Sequence, residues 1–91
     1  MKSTLFDDRE LWPVETTVGD VVYPPGGSLG PRIQQFLQLV IVHTGSMCVR
    51  IDGQQHYAAA NTVAILYPGH EEHFAFAAES ETWHSWMHAA V

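Results

Sequence analysis

Basic residues are scarce in this chain. Lys2, Arg9, Arg32 and Arg50 stand against ten carboxylates, for a net charge of −6. Nucleic-acid binding needs clustered Lys and Arg to displace counterions from phosphates, and a polybasic membrane patch needs the same. The sequence has no such cluster. Cys48 is the single cysteine, so no internal disulfide forms and the chain suits a reducing cytoplasm. No apolar run approaches the ~20 residues of a membrane span. The opening stretch from Met1 to Asp8 lacks the hydrophobic segment of a signal peptide, and Met1 reads as a natural start. Charged residues amount to only 15%, which is low for a free-standing monomer. The expectation is that part of the surface is covered, by a second copy or by further chain.

What is present is apolar and aromatic. Hydrophobic residues reach 46%, with three Trp, three Tyr and four Phe, a composition that forms a core rather than a disordered chain. Ninety-one residues make one domain. Pro and Gly break the sequence at Pro13, Pro24-Pro25-Gly26-Gly27, Gly30-Pro31, Gly45, Asp52-Gly53 and Pro68-Gly69. The runs between them suit strands, and none shows the spacing of an amphipathic helix. Strands are expected over Thr17–Tyr23, Arg32–His43, Met47–Ile51, Gln54–Ala58, Val63–Tyr67, His73–Ala77 and Thr82–Ala89, with a loop over Pro24–Pro31. A helix competes over Gln34–Leu39, but Val40, Ile41 and Val42 follow directly and favour strand. Asp52-Gly53 predicts a two-residue hairpin turn, whose central residues both need positive φ. About seven short strands at regular spacing read as an all-β sandwich or barrel.

From Gly45 onward the pattern is more specific. A hairpin runs through Gly45 to Tyr57, then comes a turn at Ala60-Asn61-Thr62, an apolar strand, Tyr67-Pro68-Gly69 and His73. This order resembles the second half of a cupin barrel. Together with Trp83-His84-Ser85-Trp86-Met87-His88, it is similar to the N-terminal sensing domains of AraC-type regulators over about Val21 to His88. The resemblance implies an all-β, cupin-like jelly-roll barrel over residues 17–91, preceded by an arm over residues 1–16. It also departs from the metal-binding members. Counted back from Gly45, their metal-ligating glutamate falls on Gln38, and their paired histidines fall on Arg32 and Gln34 or on Pro31 and Ile33. His73 alone matches. Transition ions want several converging imidazole and carboxylate donors, so the resemblance implies no metal, no cofactor and no enzyme activity.

The candidate ligand-binding residues are Arg32, Gln34, Gln38, His73, His84 and Trp86, placed at the barrel interior or mouth. A guanidinium at Arg32 can hold an effector carboxylate through paired hydrogen bonds; the plainer expectation is a solvated strand end or an ion pair. His84, Trp86 and His88 share one strand face by alternation, and either line a pocket or fill the core. His70 and His73, with Glu71 or Glu72, either form an unusual metal site or belong to a polar loop facing water. Cys48 reads as structural, and Ser46, Ser80 and Ser85 lie in no nucleophile-elbow pattern. The expected function is effector binding, dimerisation or both within an AraC-type regulator, with DNA reached only through a C-terminal region absent from this chain. The alternatives are a small metal-dependent cupin enzyme and a ligand-free dimerisation module. The chain stops after Trp83–His88, where relatives continue, so a fragment or a partner chain is expected, and exposed sheet edges point to a homodimer.

Overall fold

A computed structural model of the chain describes residues 15–90. The arm expected over residues 1–16 therefore lies, up to residue 14, outside the described residues. Eight strands follow in order: β1 (Glu15–Tyr23), β2 (Ser28–Ile33), β3 (Leu37–Thr44), β4 (Ser46–Ile51), β5 (Gln54–Ala59), β6 (Thr62–Leu66), β7 (Glu71–Phe76) and β8 (Thr82–Ala90). They form two antiparallel four-stranded sheets. Sheet A has the order β1-β8-β3-β6 and sheet B the order β2-β7-β4-β5. Every neighbouring pair except β4-β5 joins strands distant in sequence, which is the jelly-roll signature. The sheets face one another as a sandwich and share no hydrogen-bonded ladder, so the expected barrel is not closed.

The turn residues act as their chemistry demands. Asp52 and Gly53 have φ of 48° and 82°, the conformation that lets β4 return as β5 in register Ile51↔Gln54. Gly45, with φ of 77°, lets β3 pass into β4 beside the buried Thr82. The Thr82 hydroxyl donates to the Ser46 carbonyl at 3.0 Å and accepts from the Ser46 N–H at 3.3 Å. This bridge ties the start of β8 in sheet A to the start of β4 in sheet B.

The structure corrects the expectation for the first half of the chain. Pro24–Pro31 is not all loop, because Ser28 opens β2. The expected long strand from Arg32 to His43 is two strands: Arg32 and Ile33 close β2, and β3 begins at Leu37. The ladder of β2 with β7 is irregular between Leu29 and Arg32, where Gly30 takes φ of 102°. A Cβ at Gly30 would stand 2.7 Å from the Glu72 carbonyl oxygen, so only glycine fits this approach.

Alternation fixes the core. Val40 and Val42 of β3, Met47 and Val49 of β4, Ala58 of β5, Leu66 of β6, and Phe74 and Phe76 of β7 all point between the sheets and are buried. Tyr23 stacks on Phe76 with ring centroids 3.9 Å apart.

Candidate functional site

The interior is not filled to both ends. Beside the core lies a cavity of about 270 Å³, walled by β1, β2, β3, β7 and β8. Val21, Leu29, Val40 and Phe74 supply apolar wall, and Arg32, Gln38, His84, Trp86 and His88 supply polar or aromatic wall. The volume lies just under the ~300 Å³ at which ordinary small-molecule sites begin.

Arg32 reaches this space from the end of β2, with its guanidinium 5.2 Å from the centre of the Phe74 ring. Its Nη2 donates to Gln38 Oε1 at 3.1 Å, and Gln34 Nε2 donates to the same oxygen at 2.6 Å. Arg32 Nε lies 3.5 Å from Glu72 Oε1. Glu72 is only 1% exposed, although the stretch His70-Glu71-Glu72-His73 reads as a water-facing loop. It is a strand from Glu71 on, and Glu72, Phe74 and Phe76 share its inner face. Burial raises the Glu72 carboxyl above the ordinary carboxylate value, and the Arg32 charge opposes that rise.

Strand β8 contributes His84 and His88 on either side of Trp86. His84 is 5% exposed. Burial lowers both imidazoles below their ordinary value, with the nearby Arg32 charge adding to the effect. Both rings are therefore neutral at physiological pH. His84 Nδ1, His88 Nε2, Arg32 Nε and Glu72 Oε1 are buried without a hydrogen-bond partner on the protein. Arg32 Nε and Glu72 Oε1 face each other as an ion pair, which leaves His84 Nδ1 and His88 Nε2 as the two cavity-wall atoms free to meet another polar group, where most buried polar atoms in folded proteins are paired.

Of the residues expected at the site, Arg32, Gln38, His84 and Trp86 line the cavity. Gln34 is buried and reaches it only through Gln38. His73 is not brought in. It is exposed on the outer face of sheet B, beside Cys48, Arg50 and Gln55, because it alternates with the inward-facing Glu72 and Phe74. Tyr23 had no place in the expected site. His88 was expected on the face of Trp86, to line a pocket or fill the core, and Glu72 in a metal site or a polar loop, though the period-two pattern through Glu72, Phe74 and Phe76 was the signal for its inward position.

The donor set does not suit a transition ion. Gln34 and Gln38 offer amides, Arg32 is a cation, and His73 faces away. Among the described residues, no group of three or more His, Cys, Asp and Glu is placed to hold a metal. A hydrogen-bonded chain crosses the outer face of sheet A: the Ser85 hydroxyl lies 2.6 Å from Asp20 Oδ1 and 2.6 Å from His43 Nε2.

Comparisons with known proteins agree with this geometry. The family model described as AraC-like ligand binding domain matches residues 21–88. No curated protein sequence gives a significant match. Among solved structures, the Cnp3 cupin domain of Schizosaccharomyces pombe superposes with a TM-score of 0.80 at 14% identity, covering 86% of this chain and 58% of that one. A cupin 2 conserved barrel domain protein from Salinispora arenicola gives 0.73 at 19% identity, covering 87% and 66%. The polyketide cyclase RemF from Streptomyces resistomycificus gives 0.73 at 15% identity, covering 96% and 62%. This chain thus spans less than two thirds of each of these structures. At such identities the likeness shows a shared cupin fold.

Proposed function

The chain belongs to the AraC-like ligand-binding domain family, and from that premise we propose that it is the effector-binding and dimerisation unit of an AraC-type transcription regulator. DNA would be contacted only by a helix-turn-helix region outside this chain, as the net charge of −6 suggests. The observation that carries the reading is the cavity bounded by Arg32, Gln38, His84, Trp86 and His88, with two neutral imidazoles whose Nδ1 and Nε2 atoms lack partners. A small organic effector would stack on Trp86 and satisfy those atoms.

Transmission has a physical route. Trp86 lines the inner cavity and also a groove on the outer face of sheet A, together with Val18, Gly19, Leu39, Ile41 and Met87. An effector that repositions Trp86 alters the outer surface and shifts the population of regulator arrangements. The same face supports self-association. Val18, Met87, Leu39 and Ile65 form one row across its four strands, and Ile41 and Val63 lie in the next. Val18, Val22, Ile41, Val63, Ile65 and Trp83 are all exposed on it, and contiguous apolar patches of this kind mark association sites. The proposal places the protein in the cytoplasm. Among the described residues no helix is long and apolar enough to cross a membrane.

A cupin enzyme is the competing reading, since a polyketide cyclase shares the fold. Calorimetric titration of the chain with small polar organic molecules tests the proposal. Saturable one-to-one binding without turnover, weakened at least ~10-fold by Trp86→Ala, is expected. Turnover of a bound compound, or a metal held stoichiometrically at Gln34 and Gln38, would overturn it.

A further inference from the structure

The charge of the effector is written in the Arg32–Glu72 pair. Among the described residues Arg32 is the only cationic side chain lining the cavity, and in the absence of Glu72 it would recruit a carboxylate or phosphate. Glu72 does not line the cavity, yet its carboxyl stands 3.5 Å from Arg32 Nε, buried to 1% exposure. No other Lys or Arg lies close enough to pair with it among the described residues. The Arg32 guanidinium is further committed to Gln38 Oε1 and to the Phe74 ring. The remaining polar wall, His84 and His88, carries no charge at neutral pH because burial disfavours the imidazolium.

We propose that the cavity takes an uncharged, hydrogen-bonding molecule, such as an alcohol, polyol or amide, and discriminates against the matching carboxylate, because Glu72 has already neutralised Arg32. An anionic ligand must either add a second negative charge beside Glu72 or draw Arg32 away from it. The first places a second negative charge beside the buried Glu72 carboxyl, where Coulomb terms are larger than in water. The second strands a carboxylate that water cannot reach, the costly half of a broken buried pair. A neutral ligand does neither. It meets His84 Nδ1 and His88 Nε2, each able to donate or accept according to tautomer, and leaves the pair intact. This inference rests on the cavity being the effector site.

The test is calorimetric titration of the 91-residue chain with matched neutral and acidic probes at about pH 8. Suitable pairs are propane-1,2-diol with lactate, benzyl alcohol with benzoate, and xylose with xylonate. In at least one pair the neutral member should bind ~10-fold or more tightly than its acid. In Glu72→Gln, which keeps the side-chain volume and removes the charge, the acid should gain by a similar factor while the neutral member changes little. Acids that bind the unaltered protein as tightly as their neutral partners, with binding lost in Trp86→Ala, overturn the inference and leave the cavity reading standing. If no probe binds either protein, or if binding ignores Trp86→Ala, the cavity reading falls and this inference falls with it. The comparison within the unaltered protein decides the matter even if Glu72→Gln folds poorly.

Discussion

The Trp86 indole packs against Gly19, its partner on the neighbouring strand: a Cβ placed on Gly19 would stand 2.6 Å from the indole Cζ2 and 2.9 Å from Cε2. The absence of a side chain on β1 is what lets the indole rest there and line both the inner cavity and the outer groove. Gly19→Ala should therefore displace the ring rather than strain the backbone. The expected cost is about 1–3 kcal/mol, as for an overpacked core site, read as a fall in the thermal midpoint. Effector affinity should fall with it. A Gly19→Ala protein with unchanged stability and unchanged Trp fluorescence would mean that the indole does not depend on this gap.

Much of the fold was legible because turn chemistry is local. Asp52-Gly53, Ala60-Asn61 and Pro68-Gly69 announced their turns, and six of the expected strands sit within two residues of their observed ends. Strand β2 was not legible. Ser28-Leu29-Gly30-Pro31 reads as loop because its pairing with β7 is interrupted at Gly30, an irregularity that depends on the Glu72 backbone across the sheet. In the site, Gln38, His84 and Trp86 were readable from alternation and from the family resemblance. Glu72 was not, because a charged residue between two others looks solvent-exposed until the strand start at Glu71 fixes its parity. That same parity turned His73 outward.

The pH dependence of stability has a definite sign. His84 and His88 titrate below the ordinary imidazole value of 6.5 in the folded chain, so the unfolded chain binds more protons as pH drops below that value. Their contribution is complete above about pH 6.5 and is lost as pH falls through their lowered folded values. Glu72 works in the opposite direction. Its folded value lies above the ordinary 4.5, so the folded chain binds more protons there, and stability is gained as pH falls through that window. Urea unfolding between about pH 8 and pH 5 should show stability falling with acid. His84→Gln should flatten the fall and Glu72→Gln should steepen it. A profile that steepens in His84→Gln would contradict the assignment of a depressed imidazole.

The outer face of sheet A supplies an independent prediction. Ile41 pairs with Ser85 on one side and Val63 on the other, near the middle of the exposed apolar rows, and is 42% exposed. A charge there cannot disturb the inner core, because the side chain points away from it. Ile41→Lys should leave the thermal midpoint within a few degrees, as surface substitutions usually change stability by only ~0.5 kcal/mol. It should convert a dimer into a monomer at micromolar concentration in sedimentation velocity. A monomer for the unaltered protein under the same conditions would remove the dimerisation half of the proposed function.

Gln38→Glu separates the two ways of reading the cupin pattern. The substitution restores the carboxylate that metal-binding cupins resemble one another in carrying at this position, on a side chain only 5% exposed. If one acid were the sole missing ligand, the variant would acquire a transition ion. The surroundings say otherwise. The new carboxylate would sit where Gln38 Oε1 now accepts from Arg32 at 3.1 Å and from Gln34 at 2.6 Å, so its nearest partners are a guanidinium and an amide, and His73 remains on the outer face. Arg32 would then be shared between Glu72 and the new acid, which should raise the Glu72 carboxyl further by weakening its main compensating charge. The expected result is no stoichiometric zinc, manganese or iron by elemental analysis, and a stability that declines more steeply as pH rises than in the unaltered protein. Stoichiometric metal in Gln38→Glu would mean that the cavity keeps a latent ion site, with His84 or His88 as its imidazole donor, and the effector reading would have to make room for it.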